Sequence, residues 1–180
     1  MDKHYFIGIP MPEPIQALAM AKIEELKLPL YYKSIPHAAD LHITLLFIGG
    51  FPKERLSSIQ EVLRKIANNH ESFTLQINGL SSFGSNRSPR VIYLSAETSE
   101  PLHLLNRDIV ENAGIFLSDS KKDRFVPHVT IGKKWKGVDG FAFSRQSFSP
   151  IEVDVNSFTL FEINPSQTPK YSPVEIYHLT

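Results

Sequence analysis

A strand-like segment in which histidine and threonine alternate with large apolar residues constrains the fold of this chain more than any other feature. The segment reads LHITLLF and covers residues 41–47. Successive side chains of a β-strand point to opposite faces, so one face is predicted to enter a core. That core face would consist of Leu41, Ile43, Leu45 and Phe47, and the opposite face of His42, Thr44 and Leu46.

The same arrangement occurs a second time. The segment FVPHVTIGKK, residues 125–134, puts Val129 and Ile131 on one face and His128 and Thr130 on the other. A single histidine in a strand is more often a structural residue with a hydrogen-bond partner than a catalyst. Because the order histidine, apolar residue, threonine, apolar residue is repeated near the middle of each half, the pattern favours a functional site shared by both strands.

The composition is that of an ordinary soluble globular protein. The chain has 180 residues, of which 42% are hydrophobic and 21% are charged, and we expect one domain or two small lobes that share a core. It contains no cysteine, which excludes disulfides, thiolate metal sites and cysteine nucleophiles and fits a cytoplasmic location. No signal peptide is predicted, and no apolar segment is long enough to span a membrane.

The order of the secondary structure predicts a mixture of helices and strands. Apolar residues at helical spacing indicate helices over residues 12–28, 53–69 and 101–115. Besides the two motif strands, strands are predicted over residues 4–10, 31–35, 72–80, 89–97, 151–163 and 172–179, with a turn-rich segment at 81–88 and a loop at 133–146. Each half contains strand, helix and strand with one copy of the motif, which suggests an internal duplication within a single domain covering residues 1–180.

Charge is concentrated locally rather than over the whole molecule. The formal net charge is zero, so no overall field attracts nucleic acid. Two cationic runs, KKDR at residues 121–124 and KKWK at residues 133–136, flank the second motif strand. Such runs are usually solvated loops, but beside a suspected site they point to phosphate binding.

Two histidines that face each other are suited to acid–base catalysis. A neutral imidazole can take a proton from an attacking oxygen while a protonated one gives a proton to the leaving oxygen. The threonine hydroxyls can donate hydrogen bonds to non-bridging phosphate oxygens, so phosphodiester chemistry is indicated. A zinc site would need a third ligand near the pair, and neither H-E-x-x-H, G-x-S-x-G nor a P-loop is present. We expect neither a metal nor a cofactor.

The segments LHITLLFIG and FVPHVTIGK resemble the paired His-x-Thr-x motifs of the 2H phosphoesterase superfamily. Within it, the chain is most similar to the bacterial and archaeal RNA 2′,3′-cyclic phosphodiesterases, also called 2′-5′ RNA ligase-like proteins. Further strands of that family resemble YFIGIP, RVIYL and FTLFEI…YSPVEIYHL. The resemblance implies an α+β fold of two lobes related by pseudo-twofold symmetry, with antiparallel sheets forming a central cleft and helices on the outside.

The resemblance also implies the reaction and the role of each motif residue. His42 would be the proton donor to the leaving 3′ oxygen, His128 the proton acceptor from water, and Thr44 and Thr130 would bind the phosphate. The implied substrate is RNA with a 2′,3′-cyclic phosphate end, or a cyclic nucleotide, hydrolysed without metal to a 2′-phosphomonoester by a protein expected to be a monomer. Two alternatives stay open: a phosphodiesterase for another cyclic or 2′-5′ linked nucleotide, and a non-catalytic RNA-end binding protein.

The chain departs from the family at one position. Relatives commonly have arginine five residues after the second histidine, where this chain has Lys133, and lysine keeps the charge but loses the bidentate fork. In a regular strand residue 133 would face away from His128 and Thr130. Lys133 is therefore predicted to reach the phosphate only if the strand ends or bulges after Ile131, and Lys134, which has the right parity, is the second candidate.

Overall fold

The computed structural model describes residues 2–117 and 124–180, so residues 121–123 of the KKDR run lie outside the described residues. Within these ranges the chain forms nine β-strands and four α-helices. The strands are β1 (Lys3–Pro10), β2 (Tyr32–Ser34), β3 (His42–Phe51), β4 (Phe73–Ser85), β5 (Ser88–Ala96), β6 (His128–Trp135), β7 (Gln146–Val155), β8 (Ser157–Ile163) and β9 (Tyr171–His178). The helices are α1 (Glu13–Glu25), α2 (Leu28–Tyr31), α3 (Leu56–Asn68) and α4 (Glu100–Ala113).

The described strands form one antiparallel sheet in the order β7-β4-β5-β6-β3-β1-β8-β9, with the short β2 paired to β6. The motif strands β3 and β6 are neighbours at the centre, but they pair only between Ile43 and Val129. This single pair divides the sheet into one half from β7 to β6 and another from β3 to β9. The fold is α+β with a large antiparallel sheet, which confirms the prediction.

The helices pack on the sheet face that carries the apolar residues of the motif strands. α3 contacts α4 and β9, α4 contacts β3, and α1 contacts β6. The apolar stripe of α3 is buried as predicted, and each such side chain contributes ~1.5–3 kcal/mol by leaving water; its members are Leu56, Ile59, Leu63 and Ile66. None of the helices formed by the described residues is long and apolar enough to cross a membrane.

A β-bulge in β3 changes one of the predicted faces. The pairing of β3 with β1 skips Leu45, and an extra residue in a strand moves the side chains that follow it to the other face. Phe47 therefore leaves the core face, and its side chain is 59% exposed. The prediction that Phe47 belongs to the core is wrong, whereas the other three residues of that face are buried: Leu41, Ile43 and Leu45.

A second β-bulge lies at the equivalent place in β6. The pairing of β6 with β5 skips Ile131, so that Tyr93 pairs with Thr130 and Val91 with Lys133. Tyr93 and Val91 are two residues apart and share a face of β5, and their partners Thr130 and Lys133 consequently share a face of β6. The bulge is the condition under which Lys133 was predicted to reach the site.

The chain crosses between the two halves of the sheet near its end. The segment at residues 151–163, predicted as one strand, is divided between β7 and β8 with only Asn156 between them. β7 pairs with β4, whereas β8 pairs with β1 and β9. The two halves of the sheet are therefore not the two halves of the sequence. The turn-rich segment at 81–88 also differs from the prediction, because β4 continues to Ser85 and β5 begins at Ser88.

Candidate active site

A cavity of about 400 Å³ lies against the motif strands, a size within the ~300–1,000 Å³ typical of sites for small ligands. Five of the six site residues predicted from the sequence line it, namely His42, Thr44, Thr130, Lys133 and Lys134. The sixth, His128, is not among the lining residues. It stands two residues before Thr130 on β6 and pairs with Ser95 of β5.

The backbone orients the His42 ring. Its Nδ1 lies 2.7 Å from the carbonyl oxygen of Asp40, and because a carbonyl can only accept, Nδ1 carries a proton. In the neutral ring Nε2 is then an acceptor, and it receives a hydrogen bond from the Thr44 hydroxyl at 2.9 Å. Burial lowers the pKa of His42 to about 4; the Asp40 hydrogen bond acts in the opposite direction, and positive charge on Lys133 and His128 adds to the lowering.

His128 is oriented in the same way. Its Nδ1 lies 2.7 Å from the carbonyl oxygen of Val126, again two residues earlier in the chain, so the neutral ring has its unprotonated nitrogen at Nε2. Burial lowers the pKa of His128 as well, against the effect of the Val126 hydrogen bond. The edge of its ring packs against Phe83, and the ring of Tyr93 lies 5.2 Å away. Both imidazoles are therefore expected to be neutral at neutral pH.

A glycine in β1 allows the close packing around His42. Gly8 pairs with Thr44, and a Cβ atom at this position would lie 2.9 Å from the carbonyl oxygen of Ile43 and 3.3 Å from Cδ2 of His42. Any larger residue would push β1 away from the histidine. An isolated glycine inside an apolar strand indicates a close backbone approach, so this residue could have been found from the sequence.

Two unusual backbone features bring both candidate lysines to the cavity. The bulge at Ile131 turns Lys133 to the face of Thr130, and Lys134 has a left-handed backbone with φ of 63°. A left-handed residue interrupts the alternation of a strand, which is how consecutive side chains come to line one cavity. Burial lowers the pKa of Lys133, and the positive charges of Lys134 and Lys170 add to this lowering.

Asp40 was missed from the sequence although it organises one wall of the cavity. It is 5% exposed, and its carboxylate accepts hydrogen bonds from the backbone N–H groups of Lys170, at 2.9 and 3.1 Å, and of Tyr171, at 3.1 Å. The same residue offers its carbonyl oxygen to His42. Asp40 therefore holds the segment before β9 against the first motif, a contact between residues far apart in the sequence.

Aromatic side chains form a further part of the wall. Phe6, Phe47 and Tyr171 line the cavity, and the rings of Phe6 and Tyr171 lie 4.5 and 5.2 Å from the His42 ring. The aromatic residues that follow the second motif do not line the cavity. They pack instead against each other and against Tyr31 and Tyr32: Trp135, Phe141 and Phe143.

The remaining histidines have separate positions. His37 lines the cavity. His70 forms a hydrogen bond through Nε2 with Asp108 at 2.8 Å. His103, on α4, forms a hydrogen bond through Nδ1 with the carbonyl oxygen of Ser99, which precedes the helix. In the part of the chain that the structure describes, no three His, Asp or Glu side chains are grouped closely enough to ligate a metal ion.

The sequence is similar to that of a known family and of named relatives. The profile of the 2′-5′ RNA ligase superfamily matches residues 11–166. The chain is 32% identical over 184 aligned positions to the RNA 2′,3′-cyclic phosphodiesterase of Bacillus subtilis, covering 98% of this chain and 97% of that protein. It is 29% identical to the protein of the same name from Geobacillus stearothermophilus, covering 98% of this chain and 57% of that longer protein.

The fold is also shared with a solved structure. The crystal structure of E. coli LigT in apo form superposes with a TM-score of 0.81 at 21% identity, covering 100% of this chain and 99% of that one. Fold, motif geometry and sequence similarity thus lead to one assignment. The chain belongs to the 2′-5′ RNA ligase superfamily, the family of the 2H phosphoesterases.

Proposed function

We propose that this phosphoesterase hydrolyses 2′,3′-cyclic phosphodiesters, at RNA ends or on nucleotides, to 2′-phosphomonoesters. The relatives named RNA 2′,3′-cyclic phosphodiesterase support the reaction class. The observation that carries the proposal is the matched orientation of the two histidines. Each ring donates from Nδ1 to a carbonyl oxygen two residues earlier, and each is followed by a threonine on the same strand face.

The mechanism uses one imidazole on each side of the phosphorus. Nε2 of His128 removes a proton from water as the water oxygen bonds to phosphorus, and protonated His42 gives its Nε2 proton to O3′ as the P–O3′ bond breaks. Thr44, Thr130 and Lys133 hold the non-bridging oxygens, where negative charge accumulates in the transition state. Turnover leaves His42 neutral and His128 protonated, and exchange with solvent restores both rings.

The low pKa of His42 points to a role for the substrate in protonating it. With a pKa of about 4, the ring is neutral at neutral pH in the empty cavity, and a neutral ring cannot serve as the proton donor. An anionic phosphate beside the ring favours the imidazolium and raises this pKa. We therefore expect the pH optimum of kcat, which reports the bound enzyme, to lie above that of kcat/KM, which reports the free enzyme.

The direct test is steady-state hydrolysis of 2′,3′-cyclic mononucleotides and of RNA carrying a cyclic phosphate end. Each of His42→Ala and His128→Ala should lower the rate by ~10²–10⁴-fold, and the double variant should cost much less than the product of the two losses, because the pair acts as a unit. His178→Ala, at an exposed position on β9, is the control and should retain full activity.

Several outcomes would contradict the proposal. Phosphorus NMR should detect a 2′-monoester, and a 3′-monoester as the product would reverse the assignment of the leaving oxygen. Full activity in either single histidine variant would contradict the assignment of the two histidines as the acid–base pair. Tight binding of cyclic-phosphate RNA without any turnover would instead support the RNA-end binding protein.

A further inference from the structure

The cavity holds more positive charge than one cyclic phosphate needs. Lys133, Lys134 and Lys170 all line it, whereas a cyclic phosphodiester carries a single negative charge. Among residues 2–117 and 124–180, no carboxylate lies within ion-pair distance of any of these three lysines. Asp40, the one acidic residue among the described residues that line the cavity, uses its carboxylate oxygens on backbone N–H groups. Two cations therefore remain beyond the one assigned to the reacting phosphate.

Lys134 and Lys170 stand near the ends of two strands that border the cavity. Thr44 and Thr130 belong to the central strands, whereas Lys134 follows the bulge near the end of β6 and Lys170 immediately precedes β9. The cavity lining also includes the polar residues Ser34, His37 and Thr168. We call Lys134 and Lys170, together with these polar lining residues, the rim cluster.

The backbone around the rim cluster is held in place rather than loosely exposed. Asp40 binds the backbone of Lys170, and the carbonyl oxygen of Lys170 accepts a hydrogen bond from the Asn164 N–H at 2.7 Å. His37 accepts the Ala39 N–H at Nδ1, so its neutral ring carries the proton on Nε2 and can donate it. The backbone of Lys134 is left-handed, and strain of this kind is often found at ligand sites.

We propose that the rim cluster is a second anion subsite that binds the phosphate attached to O5′ of the nucleotide being hydrolysed. This inference rests on the proposed function. In a cyclic end both O2′ and O3′ of the last ribose are bonded to the reacting phosphorus, so the next phosphate of an RNA strand can only be attached through O5′. The subsite would make the enzyme selective for substrates with that phosphate over cyclic nucleosides that lack it.

Three substrates separate the contributions of the two phosphates. The first is a nucleoside 2′,3′-cyclic phosphate, which lacks the second phosphate; the second carries in addition a 5′-monophosphate; the third is a dinucleotide with a cyclic phosphate end, whose second phosphate is an internucleotide diester. For the wild-type protein, kcat/KM should be about ten- to a hundredfold higher for the second and third than for the first, the range expected for one or two charge-assisted hydrogen bonds.

The variants Lys170→Gln and Lys134→Gln test the residues. Each should lower the ratio of kcat/KM between the dinucleotide and the cyclic mononucleotide by about tenfold, mainly through KM of the dinucleotide. Lys33→Gln makes the same change of charge at an exposed position of β2 that does not line the cavity, and it should keep the wild-type ratio. Thermal unfolding of each variant verifies that the fold is retained.

The outcomes distinguish this inference from the proposed function. Equal kcat/KM for all three substrates, or a ratio that is unchanged in both rim variants, would overturn the second subsite while leaving cyclic phosphodiester hydrolysis intact. A wild-type protein that hydrolyses none of the substrates would overturn the proposed function itself. A preference for the dinucleotide but not for the 5′-monophosphate would assign selectivity to the second nucleoside and also contradict the subsite.

Discussion

His42 should make the protein less stable in acid, because protonating its buried ring is harder than protonating the same residue in the unfolded chain. Burial lowers its pKa to about 4, against ~6.5 for an exposed histidine. Between these two pH values the unfolded state binds more protons than the folded state, so the free energy of unfolding rises with pH. This contribution to stability is lost as the pH falls through the same window. Each pH unit contributes up to ~1.4 kcal/mol, which makes the full effect on the order of 3 kcal/mol.

The variant His42→Gln removes this titration while keeping a polar side chain at the position. Urea unfolding of both proteins at about pH 7 and about pH 4 gives the free energy lost on acidification. The wild type should lose on the order of 3 kcal/mol more than the variant. His128, whose pKa is lowered in the same direction, is present in both proteins, so the difference between them reports His42 together with its electrostatic interaction with His128.

Phe47→Leu is the matched control, since it changes a cavity-lining side chain without removing a titratable group. It should lose as much stability on acidification as the wild type. Equal losses in the wild type and His42→Gln would mean that His42 is not buried enough to resist protonation, and the argument that the substrate helps to protonate it would fail. Calorimetry with inorganic phosphate offers a second measurement, because phosphate binding near neutral pH should be accompanied by proton uptake.

Three further predictions concern the Thr130 hydroxyl, the left-handed backbone of two lysines, and the independence of the reaction from metal ions. Thr130→Val should lower kcat/KM by about tenfold with little change in stability, because one hydrogen bond to an anionic oxygen is lost. The control Thr74→Val, at an exposed position, should leave kcat/KM unchanged. Lys134→Gly and Lys27→Gly both relieve a left-handed backbone, so each should stabilise the protein by ~0.5–1 kcal/mol. Only Lys134→Gly should lower the preference for the dinucleotide substrate. Destabilisation by both substitutions would contradict the strain argument. Incubation with EDTA should leave the rate intact, and activity lost with EDTA and restored by a divalent ion would make metal ligands of the histidines.

Much of the site could be predicted because its signal is local. His42 and Thr44 lie two positions apart, as do His128 and Thr130, on strands that remain regular until just after the threonine. Alternation alone therefore assigns each pair to one face. The core residues of α3 are predicted for the same reason, since helical periodicity depends only on neighbouring positions. Beyond the bulges local reasoning fails. Strict alternation assigns Phe47 to the core because it takes no account of the bulge in β3.

What the sequence by itself determined is the succession of helices and strands, the doubled motif whose resemblance to a known family implies the α+β class, and the residue types available for acid–base and phosphate chemistry. The tertiary structure decided which side chains share the cavity. Whether β3 and β6 bulge depends on how their neighbours β1 and β5 pair with them, and the contact of Asp40 with Lys170 and Tyr171 joins segments that are distant along the chain. Such pairings are set by the packing of the whole sheet, and this non-local information is absent from any short window of residues.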